Sequence, residues 1–401
     1  MNLTILTDLD DTLLRNSNEK FLPRYLQSLS SYLGDYASPE IVLDALMKST
    51  FKSLETARMD STIKERFDQY FYPVLNTSPE AMQDTLLDFY TNHFPAFNPN
   101  LKPDPVVLST ISQALEKEYQ IAVATQPIFP AIATHERLRW AGLAPEEIPF
   151  EIISTYEDFH FGKPDPAYYF ELIAQIGCPD TGFVMVGDDV EMDIDPAKAI
   201  GIATYWVNPQ AGKPDLESRH TTGSLEDLHT WLDARTPEEL AITNESYQVS
   251  MATMKANAAA IQTLLKDAPE SIWEPGPDEN TWQATEIICH LRDVDREVHL
   301  PRMEMIRDIQ NPFLSAINAD PWAVERDYAK QDGREALVEF IQARKELLSL
   351  TASLPEIVGE KEIRHTIFGP MKLEEILRIA ARHDSLHVQQ LHSLIHEKGN
   401  S

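Results

Sequence analysis

Near the start of the chain Asp8, Asp10 and Asp11 stand almost side by side, and Thr12 follows them. The run Leu3 to Leu6 ahead of them is apolar and of β type. Side-chain direction repeats every second residue of a strand, so Asp8 and Asp10 at its carboxyl end can share one site. Two acids so placed suit a cation and a phosphate, although an Asp-rich turn on its own reads equally well as solvated. Phosphoryl transfer through a covalent intermediate needs a nucleophilic carboxylate, an acid/base, a cation, and donors on the phosphoryl oxygens. Candidates for the remaining parts stand at later strand ends. Thr125 closes the apolar run Ile121 to Ala124, Lys163 lies in Gly162-Lys163-Pro164-Asp165-Pro166, and Asp188 and Asp193 follow the run Phe183 to Val186. Asp189 is also within reach as a substitute for Asp188.

A second constellation lies near the far end. His383 and His387, four residues apart, continue an apolar helical stripe through Ile376, Ala380, Leu391 and Leu394, which turns both inward. His290 lies beside Ile287, Leu291 and Val294 on the inward face of another predicted helix. Two neutral imidazoles one turn apart, with a third from a facing helix, make a three-ligand metal site with open positions. A single inward His reads as well as a hydrogen-bonded core residue. Asp384, Gln389 and Asp293 are candidates to orient the imidazoles, with solvated positions the alternative. His299, His392 and His396 fall off the stripe and read as surface residues.

The elements that must hold these residues are of two kinds. In the first half, β-type runs at 3–6, 121–124, 150–154, 182–186 and 202–207 alternate with helical patterns. That alternation predicts an α/β fold, a Rossmann-like parallel sheet covered on both faces with its site at the carboxyl ends of the strands. From about 15 to 100 the period is helical, and Ser38-Pro39 and Ser78-Pro79 mark helix starts, so a mostly helical insertion interrupts the sheet. After a connector at 235–245 the β signal nearly disappears. Four helical patterns, roughly 246–267, 281–310, 333–353 and 372–398, predict an all-α antiparallel four-helix bundle over 246–401.

Composition narrows the partners. The 401 residues carry a formal charge of −30, which argues against the clustered Lys and Arg of a nucleic-acid surface. Cys178 and Cys289 lie far apart and imply no disulfide framework. No apolar run approaches the roughly 20 residues of a membrane span, and no basic and apolar leader precedes Asp8. A cytoplasmic location, with neither membrane nor nucleic acid as partner, is expected.

Residues 3 to 234 resemble the haloacid dehalogenase (HAD) superfamily of phosphohydrolases, whose motifs match in order. Asp8-Leu9-Asp10-Asp11-Thr12 is similar to the first motif, Thr125 to the second, Lys163 to the third, and Gly187-Asp188 with Asp193 to the fourth. The resemblance implies a domain over 1–234, with a core at 1–14 and about 101–234 and a helical C1 cap at about 15–100. It also implies the roles. Asp8 attacks phosphorus and forms an aspartyl phosphate, and Asp10 serves as acid and then base. Thr125 holds a phosphoryl oxygen, and Lys163 neutralises nucleophile and phosphate. Asp188 ligates Mg²⁺ beside Asp8 and the Asp10 carbonyl, while Asp193 sits behind them or orients Lys163. Gln126 departs from the usual Asn of the second motif, which puts that motif's other contacts in doubt. Family dehalogenases do not need the second Asp, so Asp10 favours hydrolysis of a phosphate ester. A cap that closes over the site implies a small phosphorylated metabolite. Arg15, Arg24, Arg58, Lys64 and Arg66 are candidates for cap contacts to it, or surface charges.

Residues 246 to 398 resemble the DinB-like (DinB/YfiT) four-helix bundles, through His290 in the second helix and His383 and His387 in the fourth. The resemblance implies Zn²⁺ or Ni²⁺. It leaves open whether the bundle is the main catalyst, as a metal-dependent thiol transferase or hydrolase, or a dimerisation module that makes a homodimer.

Overall fold

The computed structural model describes residues 2–15, 18–98, 102–276, 281–354 and 361–399. The expected junctions of the helical insertion, 16–17 and 99–101, lie outside the described residues. Two compact units emerge, residues 1–172 with 180–244, and residues 245–401 with 173–179.

The first unit is built on β1 (Leu3–Thr7), whose five residues are all buried. A strand buried on both faces reads as a continuous apolar run, as this one does. β2 (Gln120–Val123) flanks it on one side and β4 (Gly182–Gly187) on the other. β3 (Ile152–Ile153), β5 (Ala203–Val207) and β6 (His220–Gly223) complete the parallel order β3-β2-β1-β4-β5-β6. Thr7 is opposite both Val123 and Val186. The residues just beyond these pairings therefore leave the sheet along one edge, at its carboxyl ends. β6 was not legible as a strand. Its sequence His-Thr-Thr-Gly lacks an apolar run, and three of its residues are only half-buried at the sheet's edge.

The insertion between β1 and β2 is helical: α1 (Asn18–Tyr32), α2 (Pro39–Glu55), α3 (Ile63–Val74) and α4 (Pro79–Asp88). Pro39 and Pro79 open α2 and α4, where the missing N–H costs nothing. α3 begins in a capping box, with Thr62 Oγ1 accepting from the Glu65 N–H at 3.2 Å and Glu65 Oε2 accepting from the Thr62 N–H at 2.8 Å. α5 (Pro105–Glu116) leads back into β2, and α6 (Ala131–Trp140) follows it. Phe21 and Tyr25 of α1 join Phe94, Phe129 and Trp140 in one aromatic cluster, with Phe94 stacked on Trp140 at 5.3 Å.

The segment read as a connector is packed rather than loose. A short helix, Pro237–Leu240, carries a fully buried Leu240, and Arg219 donates to the Ala241 carbonyl at 3.0 Å.

In the second unit the helix Tyr247–Lys266 packs along Leu373–Gly399, and Ala284–Val294 packs along Gly333–Ala352. Ala284–Val294 runs through a π turn, Asp295–His299, into Leu300–Asp308. Three short strands, Phe313–Leu314, Ile363–His365 and Gly369–Met371, form a small sheet that sequence periodicity is too short-ranged to show. Among the described residues no helix is long and apolar enough to cross a membrane.

Candidate active site and metal centre

The loop after β1 curls back on itself. The N–H of Leu14 reaches the Leu9 carbonyl at 2.7 Å, that of Asp11 reaches Leu14 at 2.8 Å, and Asp11 adopts a left-handed φ of 54°. Leu9, Leu13 and Leu14 anchor the curl in the core. Asp8 is still in the sheet, donating its N–H to the Val186 carbonyl at 2.9 Å, and its carboxylate is nearly buried.

The loop carrying Lys163 and the segment after β4 converge on Asp8. Lys163 Nζ donates to Asp8 Oδ1 at 2.7 Å and also to Asp193 Oδ1. Ligand oxygens of Asp8, Asp188 and Asp193 all lie within 4.8 Å of one another. Thr12 Oγ1 donates to Asp188 Oδ1 at 3.3 Å, and the Trp206 indole N–H fixes the Asp188 carbonyl at 2.9 Å. Gly187 is required here, because a Cβ on it would stand 2.2 Å from Asp193 Oδ2. Thr125 is buried at the same edge, one residue past Ala124, whose N–H donates to the Thr7 carbonyl at 2.7 Å. Gln126 clasps the third-motif loop from both sides. Its Oε1 accepts from the Lys163 N–H at 2.8 Å, and its Nε2 donates to the Lys163 carbonyl at 3.0 Å.

Charge is unbalanced. Burial lifts the Asp8 and Asp193 carboxyls above their usual range; both are opposed by the shared Lys163 ammonium, and Asp193 also by the Asp189 N–H at 3.2 Å. Burial by itself would lower Lys163, but Asp8 and Asp193 outweigh it and hold the ammonium well above its ordinary value. Burial, then Asp193 and Asp11, push Asp188 up to about 6. Oxygen ligands with uncompensated negative charge fit a hard divalent cation such as Mg²⁺. Asp189 is not part of this set: it is exposed, and its Oδ1 caps the next turn by accepting from the N–H groups of Glu191 and Met192 at 2.8 and 3.0 Å.

Asp10 has a different partner. Its carboxylate is paired with Arg137 of α6, a fully buried guanidinium that lies 4.7 Å from the Phe129 ring centroid.

In the bundle, His290 Nε2 lies 3.1 Å from His383 Nε2, which lies 3.3 Å from His387 Nε2. Trp282 packs on His290 and stacks on His387 at 6.1 Å. Burial, then the neighbouring imidazoles, push His290 down to about 3 and His387 down to about 4, so both are neutral at pH 7. Nitrogen lone pairs that converge this closely cannot satisfy one another with the few protons they share. A borderline cation such as Zn²⁺ or Ni²⁺ fits the donor set. His387 Nδ1 is within 3.1 Å of Gln390 Oε1, and His383 Nδ1 is 3.8 Å from Asp384. Behind them Arg344 bridges Asp295 and Asp384 at 2.7 and 2.6 Å, with all three side chains buried.

Residues 5–207, half of the chain, match the family model of the haloacid dehalogenase-like hydrolases. The chain belongs to this family. Residues 253–391 match the model of the DinB superfamily. The glyceraldehyde 3-phosphate phosphatase of Methanocaldococcus jannaschii is 27% identical over 233 residues, covering 56% of this chain and 94% of that protein. Pyrophosphatase PpaX of Bacillus pumilus is 26% identical over 204 residues, covering 51% and 82%. Among solved structures, YfiT from Bacillus subtilis, described as a probable metal-dependent hydrolase with an unusual four-helix bundle topology, aligns at 16% identity. It covers 41% of this chain and 94% of its own, with a TM-score of 0.35.

In the haloacid dehalogenase unit, then, Asp8, Lys163, Asp188 and Asp193 come together, with Thr125 on the same edge and Asp10 turned toward Arg137. Arg137 carried no sequence signal, since an Arg on a predicted helix reads as surface charge. Among the expected cap cations, Arg15 pairs with Asp104, Arg58 with Asp60 and Lys64 with Asp68. Arg66 is buried, donating to the carbonyls of Ser53 at 2.8 Å and His160 at 2.7 Å, which makes it a strut from the cap to the core. In the bundle, His299 corrects the expectation of a surface residue: it is buried, neither ring nitrogen has a hydrogen-bond partner among the described residues, and its ring lies 6.4 Å from that of His383. The exposed Gln389 does not hold the imidazoles; Gln390 does. Asp293 is taken up by Arg292, Arg326 and Tyr328.

Proposed function

We propose that the haloacid dehalogenase unit is a Mg²⁺-dependent phosphomonoesterase that hydrolyses a small phosphorylated metabolite through an aspartyl phosphate at Asp8. The observation that carries this reading is the buried contact of Asp8 with Lys163, 2.7 Å apart, beside the carboxylates of Asp188 and Asp193. Lys163 and the Thr125 hydroxyl bind phosphoryl oxygens. An Asp8 oxygen forms a bond to phosphorus as the bond to the ester oxygen breaks, and Asp10 delivers a proton to the departing alcohol. Water then attacks the phosphorus of the acyl phosphate and gives a proton to Asp10. The phosphorus–Asp8 bond breaks, and inorganic phosphate leaves. Arg137 does no chemistry in this scheme; it fixes where Asp10 points. Asp8 and Asp188 would hold Mg²⁺, with Asp193 behind them. The bound ion would offset the repulsion between carboxylate and phosphate. Named relatives act on small phosphorylated substrates, which supports the substrate class.

Phosphate release from p-nitrophenyl phosphate with Mg²⁺ tests the reading. Asp8→Asn is expected to abolish it, and undiminished release by that variant would refute the nucleophile assignment.

The convergence of three Nε2 atoms favours a second reading for the bundle, that it holds Zn²⁺ or Ni²⁺ through His290, His383 and His387. Three ligands leave positions open for water or a thiol, which suits a metal-dependent transferase or hydrolase better than a purely structural centre. Metal analysis of the full chain tests it, and protein that stays metal-free after incubation with either ion would remove it.

A further inference from the structure

The cap holds a hollow of about 280 Å³, bounded by α1, α2, α3 and the core loop after Thr125 and reaching solvent beside the exposed Met47 and Phe51. Leu26, Leu29, Leu46, Phe67, Phe129 and Tyr156 are representative of its walls. Among the described residues that line it none is charged, and the only side-chain polar groups are hydroxyls of Thr50 and four tyrosines. Two of those, Tyr25 and Tyr90, bond each other at 2.8 Å. An apolar hollow of this size, with few polar groups to hold water, is suited to an apolar ligand.

The cavity borders segments that carry the active site. Leu54 lines it and packs so closely on Gly162, the neighbour of Lys163, that a Cβ there would stand 2.9 Å from Leu54 Cδ2. Phe129 lines it and packs against the Arg137 that holds Asp10. Ile128, Phe129 and Pro130 follow closely on Thr125. The apolar walls thus lie directly against the loops that carry Lys163 and follow Thr125.

We propose that the substrate is a phosphomonoester of an apolar alcohol, an aryl-alkyl or medium-chain alkyl group, and that the cap cavity binds its carbon skeleton. This rests on the phosphatase reading above. Of the five cations expected to meet a polar leaving group, Arg15, Arg58 and Lys64 are in ion pairs and Arg66 is bound to backbone carbonyls, while Arg24 is exposed and does not line the cavity. A sugar or nucleoside would bury hydroxyls with few partners. A cavity of about 150 Å³ accepts benzene. The larger one here has room for a bicyclic aryl group or a chain of roughly eight to ten carbons.

The test is a series of n-alkyl phosphates with the full chain and Mg²⁺, with glycerol 3-phosphate as the polar comparison, because these alcohols leave with similar ease. Each added methylene is expected to raise kcat/KM about fourfold until the cavity is full, and hexyl phosphate to exceed the glycerol ester on the order of 100-fold. Met47→Trp, which fills part of the cavity from a half-exposed position, is expected to end the rise at a shorter chain. A flat series with the glycerol ester equal or preferred would overturn the inference and leave the phosphatase reading standing. Hydrolysis of no ester would instead sink the phosphatase reading. The cavity would then be decided by titrating octyl phosphate into Asp8→Asn. Saturable binding weakened by adding Met47→Trp sustains the apolar ligand class, and absence of binding ends it.

Discussion

Replacing Lys163 by Met keeps the length of the stem and removes only the charge. In the parent its Nζ is 2.7 Å from Asp8 Oδ1, bonded also to Asp193, and the side chain is 2% exposed. At that distance and an effective dielectric near 20, the Coulomb attraction is about 6 kcal/mol per pair. Desolvation of the ammonium returns several kcal/mol of this, so breaking the buried cluster costs about 3–5 kcal/mol net. Without the ammonium the two carboxyls are raised further. A raised carboxyl contributes most below its unfolded value and least above its folded one, so the loss is largest near pH 8 and shrinks toward pH 5. On the reaction, removing a cation from the phosphoryl oxygens is worth a factor of about 10²–10³. Thermal unfolding at pH 8 and pH 5, with kcat/KM on an alkyl phosphate, reads both effects. Activity within about fivefold of the parent, in a protein whose unfolding midpoint falls as computed, would refute the role given to Lys163.

Other outcomes follow from the same structure. His383→Ala, which removes the central imidazole, is expected to lose bound Zn²⁺ or Ni²⁺ by mass spectrometry while alkyl phosphate hydrolysis continues; retention of the metal would place it elsewhere. Arg344→Met strands Asp295 and Asp384 in the core and should cost about 3–5 kcal/mol in the bundle's unfolding. It should also weaken metal binding about 10–100-fold by freeing Asp384 beside His383; unchanged affinity would make the triad purely structural. Burial, then Arg219 and Lys198, hold His220 down at about 4. Its stability contribution is therefore full above the unfolded value near 6.5 and lost as pH falls toward 4, about 1 kcal/mol once its partial exposure is discounted. His220→Asn should flatten the unfolding curve in that window, and parallel curves would remove His220 as the cause.

Asp8, Thr125 and Asp188, legible in the sequence, share one property: each stands just past an apolar strand. A buried parallel strand writes itself as an uninterrupted apolar run and the site follows it, whereas Lys163 is read from its own Gly-Lys-Pro-Asp-Pro loop, well beyond the half-buried β3. Residues placed by tertiary packing leave no such trace. Arg137 and Arg344 are polar residues in helical segments, and nothing local distinguishes a buried guanidinium from a solvated one. His299 was misplaced for a geometric reason. The π turn at Asp295–His299 spends more residues on one turn of the helix, so counting at 3.6 residues per turn from His290 puts it on the wrong face. Gln126 is the reverse case, a departure from the family pattern whose fit to the Lys163 backbone only coordinates reveal. The hollow in the cap is illegible for a simpler reason: an apolar residue that lines a cavity and one that fills a core have the same sequence signature.

The most direct measurement is to trap the intermediate. Full-length protein turning over an alkyl phosphate with Mg²⁺ is reduced with borohydride, which converts an acyl phosphate to an alcohol, and the peptides are sequenced by mass spectrometry. The account predicts homoserine in place of Asp8 and nowhere else, and only when substrate is present. Full phosphate turnover with Asp8 unaltered, or reduction at a different carboxylate, would contradict it.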